Sequence, residues 1–245
     1  MTGLLALDLD GTILLAGEKL VPGIREEIRA WQAGGWRVAI ITARYHKIPL
    51  IDDLGVDAYT RNYGAQVYVR GQEIQRRTLS PEVVEAALND APERARLMVL
   101  TPDVGFVQAI RWPSDRPLQE WPQGCDFVKV LLEHPDVSAV QRAAEIWAAL
   151  PEVTLIWERP TACMLVAAGA DKGSALQTVA HHFGIPLNRT VAAGDGFADA
   201  AMLQRAEQFL IVGRNPALRA GYAFAEQPAD VPEQLSLLRR EWQGY

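Results

Sequence analysis

Two carboxylates stand two residues apart in the run Asp-Leu-Asp-Gly-Thr at positions 8–12. Alternate side chains of an extended backbone point to one side, so Asp8 and Asp10 would lie close together. Close carboxylates repel at neutral pH, which favours a cation between them or a raised pKa on one of them. Mg²⁺ suits such a pair because it takes oxygen ligands and shares them with a substrate phosphate. Asp8 could then attack phosphorus while Asp10 protonates the leaving alcohol; two solvated acids are the alternative interpretation.

Hydroxyl and basic side chains elsewhere could complete such a site. Thr12 supplies a hydroxyl beside the acid pair, and Thr42 could donate to a phosphoryl oxygen or satisfy a local backbone group. Arg44 could grip a substrate or form a surface ion pair. Lys172 precedes a predicted helix, where a cation opposes the helix dipole, so a nearby anion would explain its position. Its charge would offset the negative charge that develops during phosphoryl transfer.

A second acidic pair lies in the run Gly-Asp-Gly-Phe-Ala-Asp at positions 194–199. Asp195 follows an apolar strand directly and is the better metal ligand of the two. Asp199 could ligate a metal, hydrogen-bond through water or only cap the following helix. We therefore predict that Asp8, Asp10, Asp195 and Asp199 form the metal site.

The elements that must position these residues alternate between strand and helix at both ends of the chain. Buried parallel strands are predicted from apolar runs at 4–9, 36–42, 190–193 and 208–212, with helical patterns between them. This alternation predicts an α/β fold with a doubly wound, Rossmann-like parallel sheet. Ligands bind beyond the carboxyl ends of such strands, so the separate polar groups would converge there.

The middle of the chain has a different pattern, with several short strands and two helices punctuated by prolines. This pattern predicts an inserted α+β cap domain at residues 80–165. The α/β core domain would then comprise residues 1–79 and 166–245.

These constellations resemble, in kind and order, the motifs of the haloacid dehalogenase superfamily of phosphatases. Positions 8–12 resemble its nucleophile and acid/base pair, Thr42 its hydroxyl motif, Lys172 its lysine motif and positions 194–199 its acidic motif. The long insertion resembles the α+β (C2) cap of the Cof-type subgroup, class IIB. The turn at 61–65 and the lysine segment at 171–176 resemble that subgroup too.

The resemblance implies Mg²⁺, an aspartyl-phosphate intermediate and a cap that closes over a small phosphorylated metabolite such as a sugar phosphate. Specificity would then lie in cap residues and in Arg44 or Arg159. The chain departs from the subgroup at Ala198, where an asparagine usually stands. This change removes an amide that would contact the metal shell or the phosphate.

Three other functions stay open at this point. A phosphotransferase of the same superfamily, such as a hexose phosphomutase, would move phosphate within a sugar instead of giving it to water. A degenerate homologue would bind a phospholigand without turnover. A bacterial receiver domain also uses an acid pair and a lysine, but it has about half this length and no large insert.

Composition narrows the partners and the location. The net charge of −6, without a cluster of basic and aromatic residues, argues against nucleic acid. No apolar stretch approaches the ~20 residues of a membrane helix, and no signal peptide pattern opens the chain. We expect a soluble cytoplasmic protein, as a monomer or a homodimer. The two cysteines, Cys125 and Cys163, are predicted to be small buried hydrophobes.

Overall fold

The computed structural model describes residues 2–46, 49–107, 115–117, 120, 125–215, 218 and 222–244. The strands, in chain order, are β1 (Leu4–Leu7), β2 (Leu14–Leu15), β3 (Lys19–Leu20), β4 (Arg37–Ile41), β5 (Ala58–Arg61), β6 (Gln66–Val69), β7 (Gln72–Arg76), β8 (Arg96–Leu100), β9 (Gly105–Val107), β10 (Asp115–Pro117), β11 (Lys129–Glu133), β12 (Val153–Arg159), β13 (Ala162–Ala167), β14 (Thr190–Gly194), β15 (Gln208–Val212) and β16 (Ala223–Ala225). The helices are α1 (Ile24–Ala33), α2 (Leu50–Leu54), α3 (Pro81–Asn89), α4 (Val137–Ala148), α5 (Lys172–His182), α6 (Ala200–Leu203) and α7 (Val231–Gln243).

Eight strands form the larger sheet, in the order β16-β15-β14-β1-β4-β5-β6-β7. The strands from β16 to β5 are parallel, and β6 and β7 continue the sheet in antiparallel fashion. The chain moves from β1 to β4 on one side and reaches β14 on the other, so β1 lies where the strand order reverses. Ligands bind at such a reversal in open α/β sheets.

Both faces of the larger sheet are covered by helices. Because side chains alternate along β1, Leu5 and Leu7 pack with α1 and α7 on one face. Leu4 and Ala6 pack with α5 and α6 on the other face. The predicted doubly wound α/β class is therefore confirmed.

The middle of the chain forms a second sheet of six strands, in the order β10-β9-β8-β11-β13-β12. Helices α3 and α4 pack on one face of it, where Trp147 is buried and donates its indole N–H to the carbonyl of Ala87 at 3.1 Å. The mixture of antiparallel strands and two helices confirms the predicted α+β character of this segment. The apolar run at 105–112 predicts one of the short strands of this segment; that strand is observed to Val107, and residues 108–112 lie outside the described residues.

We propose the predicted division into a core domain and a cap domain, with one adjustment at each boundary. Leu79 already packs in the core of the second sheet, and β13 extends to Ala167, two residues beyond the predicted boundary. The hairpin of β2 and β3, the short helix α2 and the edge strand β7 were not predicted. The prediction for Cys125 is wrong, since it is exposed in the loop before β11 beside charged Asp126, whereas Cys163 is buried. Among the described helices, none combines the length and apolar character needed to cross a bilayer.

Candidate active site

Three neighbouring strands deliver predicted site residues to one edge of the larger sheet. Strand β1 lies between β4 and β14, and the residues just beyond these strands include Asp8, Thr42 and Asp195. All three line one cavity of about 480 Å³. The Asp8 N–H donates to the carbonyl of Ala193 at 2.9 Å, so the pairing of β1 with β14 continues as far as the first carboxylate.

The predicted turn at Asn62, Tyr63 and Gly64 fixes the position of two of these elements. The Tyr63 N–H donates to the carbonyl of Thr42 at 3.1 Å. Gly64 has φ +96°, and a Cβ there would lie 2.5 Å from the Cβ of Ala175 in α5, so only glycine permits this approach. The turn therefore joins the loop of Thr42 to the helix that carries Lys172.

Lys172 begins α5 and is buried beneath the cavity. Its Nζ donates to Oδ1 of Asp8 at 2.6 Å and to Oδ1 of Asp199 at 2.7 Å. Burial alone would lower the pKa of Lys172, but the two carboxylates together raise it above its ordinary value. The lysine therefore stays charged, and the anions expected beside it are these two carboxylates.

Asp199 is fully buried and uses both carboxylate oxygens within the protein. Oδ1 accepts from Lys172, while Oδ2 accepts from the N–H of Asp195 at 3.1 Å and from that of Gly196 at 2.8 Å. Asp199 thus orients the lysine and fixes the loop that carries Asp195.

Thr12 is buried below the cavity and does not line it. Its Oγ1 donates to Oδ2 of Asp8 at 3.1 Å and lies 3.4 Å from Oδ1 of Asp195. The structure therefore does not place Thr12 where it was predicted to bind substrate. Its hydroxyl instead supports Asp8 from below and lies beside Asp195.

The carboxylates of Asp8, Asp195 and Asp199 offer ligand atoms that all lie within 4.8 Å of one another. Burial raises the pKa of Asp8 to about 8; Lys172 opposes this shift, and the charges of Asp199 and Asp195 reinforce it. Burial and Asp199 likewise raise the pKa of Asp195. These raised pKa values show that the two carboxylates are costly to ionise side by side without a further cation. A divalent cation with a preference for oxygen would stabilise the ionised carboxylates, so this donor set fits Mg²⁺.

The structure does not group Asp10 with these three carboxylates. Both of its oxygens accept from Arg44, whose Nε and Nη2 lie at 2.8 and 2.7 Å, and Arg44 also pairs with Glu18 on the hairpin of β2 and β3 at 2.5 Å. The side chain of Asp10 is 52% exposed and lines the cavity. Asp10 is therefore not among the grouped carboxylates that could hold a metal, and its side chain faces the cavity in an ion pair with Arg44.

The second sheet forms the opposite wall of the cavity with side chains that sequence reasoning missed. Lys129, Leu131, Glu158 and Met164 line it from that side, and Tyr63 lines it from the turn below. No motif marks these residues, since the sequence gives no sign of which face of a short strand meets another sheet. A polar residue inside an apolar strand pattern, such as Lys129, was the available clue.

Arg159 does not line the cavity. It pairs with Glu133 and with Glu158, and its side chain is 48% exposed. Glu133 stands four residues beyond Lys129 along β11, which is about 13 Å in a β-strand. Arg159 therefore does not line the cavity itself, although its partner Glu158 does, and its role in substrate binding stays a prediction.

Ala198 and Asn215 both line the cavity next to the acidic loop. The Nδ2 of Asn215 donates to the carbonyl of Asp195 at 2.9 Å. An amide therefore supports the acidic loop, although it comes from the segment after β15 and not from position 198. A polar residue close behind a predicted parallel strand could have indicated Asn215.

Comparisons with known proteins agree with this geometry. Residues 5–216 match the family model described as haloacid dehalogenase-like hydrolase. Curated relatives include the HMP-PP phosphatase of Escherichia coli (strain K12 / DH10B), 26% identical over 242 residues that cover 90% of this chain and 88% of that protein. The HMP-PP phosphatase of Klebsiella pneumoniae (strain 342) is 24% identical, with the same coverage.

Solved structures show the same fold. A haloacid dehalogenase-like hydrolase from B. subtilis superposes with a TM-score of 0.85 at 19% identity, covering 96% of this chain and 99% of that one. A sugar phosphatase of haloacid dehalogenase subclass IIB gives a TM-score of 0.83 at 19% identity, covering 98% and 99%. The match to the family model extends over most of the sequence. It includes the polar residues that form the floor of the cavity, which are Asp8, Thr42, Lys172, Asp195 and Asp199. This chain is a phosphatase that belongs to the haloacid dehalogenase-like hydrolase family.

Proposed function

We propose that the protein is a Mg²⁺-dependent phosphatase that hydrolyses small phosphate monoesters through an aspartyl-phosphate on Asp8. One observation carries the proposal: Asp8 faces the cavity beside two further carboxylates and is held by a buried lysine at 2.6 Å. Its relatives named HMP-PP phosphatase and its structural neighbour named a sugar phosphatase support a small phosphorylated metabolite as substrate.

In the first step an oxygen of Asp8 forms a bond to phosphorus while the bond to the leaving oxygen breaks. Asp10 gives its proton to that oxygen, which departs as the alcohol. In the second step water attacks phosphorus, its proton passes to Asp10, and inorganic phosphate leaves as the Asp8 carboxylate is restored. The second step gives phosphate to water, which separates this function from a phosphomutase.

The surrounding groups assist both steps. The Thr42 hydroxyl, which accepts from the Arg44 N–H at 3.1 Å, keeps its own hydrogen for a phosphoryl oxygen. The Lys172 ammonium offsets the charge that builds up around phosphorus. Asp8 and Asp195 would hold Mg²⁺, which when bound polarises the phosphoryl oxygens.

We assign Arg44 and Asp199 to positioning. The guanidinium of Arg44 fixes the Asp10 carboxylate by two parallel hydrogen bonds, the geometry that arginine provides best. Asp199 fixes Lys172 and the Asp195 loop. The oligomeric state and the cytoplasmic location stay predictions.

The test is a phosphate-release screen over many phosphate esters, with and without Mg²⁺, on the parent protein and on Asp8→Asn. We expect release that needs Mg²⁺ and vanishes in the variant. Asp53→Asn is the matched control, because Asp53 is 65% exposed and lies outside the cavity. Turnover of Asp8→Asn at the parent rate would show that another residue is the nucleophile. Phosphate that stays on the sugar at a new position would indicate the phosphomutase.

A further inference from the structure

We propose that Lys129 and Glu158 bind the leaving group of the substrate and select an uncharged, polyhydroxylated one over a leaving group with a second anion. This inference rests on the proposed function and adds the residues that determine specificity. Both side chains line the same cavity as Asp8, from the wall that the second sheet forms. A substrate whose phosphoryl group lies against Asp8 would extend its leaving group toward that wall.

Lys129 is a buried cation with unused hydrogen-bonding capacity. It is 5% exposed, and its Nζ donates to the carbonyl of Ala43 at 3.0 Å and lies 5.2 Å from the ring centroid of Tyr63. An ammonium has three donors, and in the described part of the chain no carboxylate lies within 4.0 Å of this one. The remaining donors are available to a ligand in the cavity.

The electrostatics of Lys129 support the same interpretation. Burial lowers its pKa to about 8, and the more distant charge of Glu158 opposes this only in part. A buried, incompletely partnered lysine destabilises the free protein. A position that carries such a group is explained when a bound molecule supplies the missing acceptors.

Glu158 limits which chemical groups of a ligand can bind beside Lys129. An ionised carboxylate only accepts hydrogen bonds, so it binds hydroxyl groups and repels a second phosphate or carboxylate. Glu158 also pairs with Arg159 at 3.6 Å, which leaves most of its acceptor sites unused. Lys129 and Glu158 together therefore offer hydrogen-bond donors and acceptors, and their two charges balance. This combination matches vicinal hydroxyl groups, each of which donates and accepts.

Apolar side chains complete the wall. Lys129 and Leu131 are two apart in β11 and share one face of the sheet, and Leu131 lies opposite Met164 in β13. Both apolar residues line the cavity. They provide a surface for the C–H groups of a sugar or polyol while the polar pair takes the hydroxyl groups.

Matched substrates test the proposal through kcat/KM for glucose 6-phosphate, fructose 1,6-bisphosphate and p-nitrophenyl phosphate. Lys129→Met and Glu158→Gln should each lower kcat/KM for glucose 6-phosphate at least tenfold more than for p-nitrophenyl phosphate, mainly through KM. Glu158→Lys should raise the preference for the bisphosphate over the monophosphate at least tenfold. Glu145→Gln, exposed on α4, is the control for the loss of an acid.

Equal losses on all three substrates would show that the two residues are structural and overturn the proposal. A parent preference for the bisphosphate would overturn it as well. Calorimetric binding of the two sugar phosphates to Asp8→Asn separates this proposal from the proposed function. If the parent hydrolyses nothing but Asp8→Asn binds the monophosphate more tightly, and Glu158→Gln in that background removes the preference, the proposed function fails and this inference stands.

Discussion

Two lysines lie buried at one cavity, and their surroundings differ. Lys172, on the floor, contacts two carboxylates within 2.7 Å, and its pKa is raised. Lys129, on the opposite wall, contacts one carbonyl and an aromatic ring, and burial lowers its pKa to about 8. The floor is internally paired before any ligand arrives, whereas the wall leaves a charge in need of a partner. The difference suggests that the floor fixes the chemistry and the wall selects the molecule.

Removal of Lys172, the floor lysine, should have the largest effect. Lys172→Met leaves Asp8 and Asp199 buried without a cation, which should destabilise the fold by about 3 kcal/mol in the absence of Mg²⁺. The loss of charge compensation during transfer should lower kcat by about 10³-fold. Steady-state kinetics and urea unfolding measure both. Lys19→Met, on the exposed hairpin, is the matched control; a loss of kcat below tenfold would contradict the assigned role.

Loss of the two hydrogen bonds that Arg44 donates to Asp10 should have the next largest effect. Arg44→Lys keeps the charge but loses the two parallel bonds to Asp10, so kcat should fall roughly 10- to 100-fold with little change in KM. Glu18→Gln removes only the second ion pair of Arg44 and should change kcat by about threefold or less. A raised KM at unchanged kcat would instead favour the prediction from sequence that Arg44 binds substrate.

Substitution of Lys129, the wall lysine, should change the free energy of unfolding in the opposite direction to substitution of Lys172. At pH 7 Lys129 is protonated in both states, and its burial penalty destabilises the folded one. Lys129→Met should therefore stabilise the fold by about 1–2 kcal/mol, after the loss of one hydrogen bond. Equilibrium urea unfolding at pH 7 measures the difference between parent and variant.

The pH dependence of that difference follows from the lowered pKa. Between pH 8 and 10.5 the unfolded chain binds this proton and the folded chain does not, so the parent gains stability relative to the variant as pH rises. The advantage of Lys129→Met should shrink from pH 7 to pH 10. A variant less stable than the parent at pH 7 would mean that Lys129 is a structural residue.

We expect the smallest effect from Arg159, which belongs to the second sheet but does not line the cavity. Arg159→Ala removes half-exposed ion pairs with Glu133 and, at 3.6 Å, with Glu158, and exposed pairs contribute little, so kcat/KM for any phosphate ester should change by about twofold or less. A tenfold rise in KM for glucose 6-phosphate or fructose 1,6-bisphosphate would instead support the prediction that Arg159 binds substrate.

The floor could be predicted from the sequence and the wall could not. Asp8, Thr42, Lys172 and Asp195 follow apolar strands or begin a helix, and the rules of parallel sheets bring such positions together. The position of the Asp10 carboxylate was harder to predict, because Asp10 pairs with Arg44, which lies 34 residues further along the chain. Glu158 and Lys129 reach the cavity only through the packing of one sheet against another, which no local pattern encodes.

The identity of the nucleophile is tested most directly by acid-quenching the enzyme during turnover of a phosphate ester and mapping the trapped phosphoryl group by mass spectrometry of its peptides. We predict one phosphoryl group on the peptide that contains Asp8, formed only with Mg²⁺ and absent from Asp8→Asn. A phosphoryl group on another residue, or turnover by Asp8→Asn, would contradict the account.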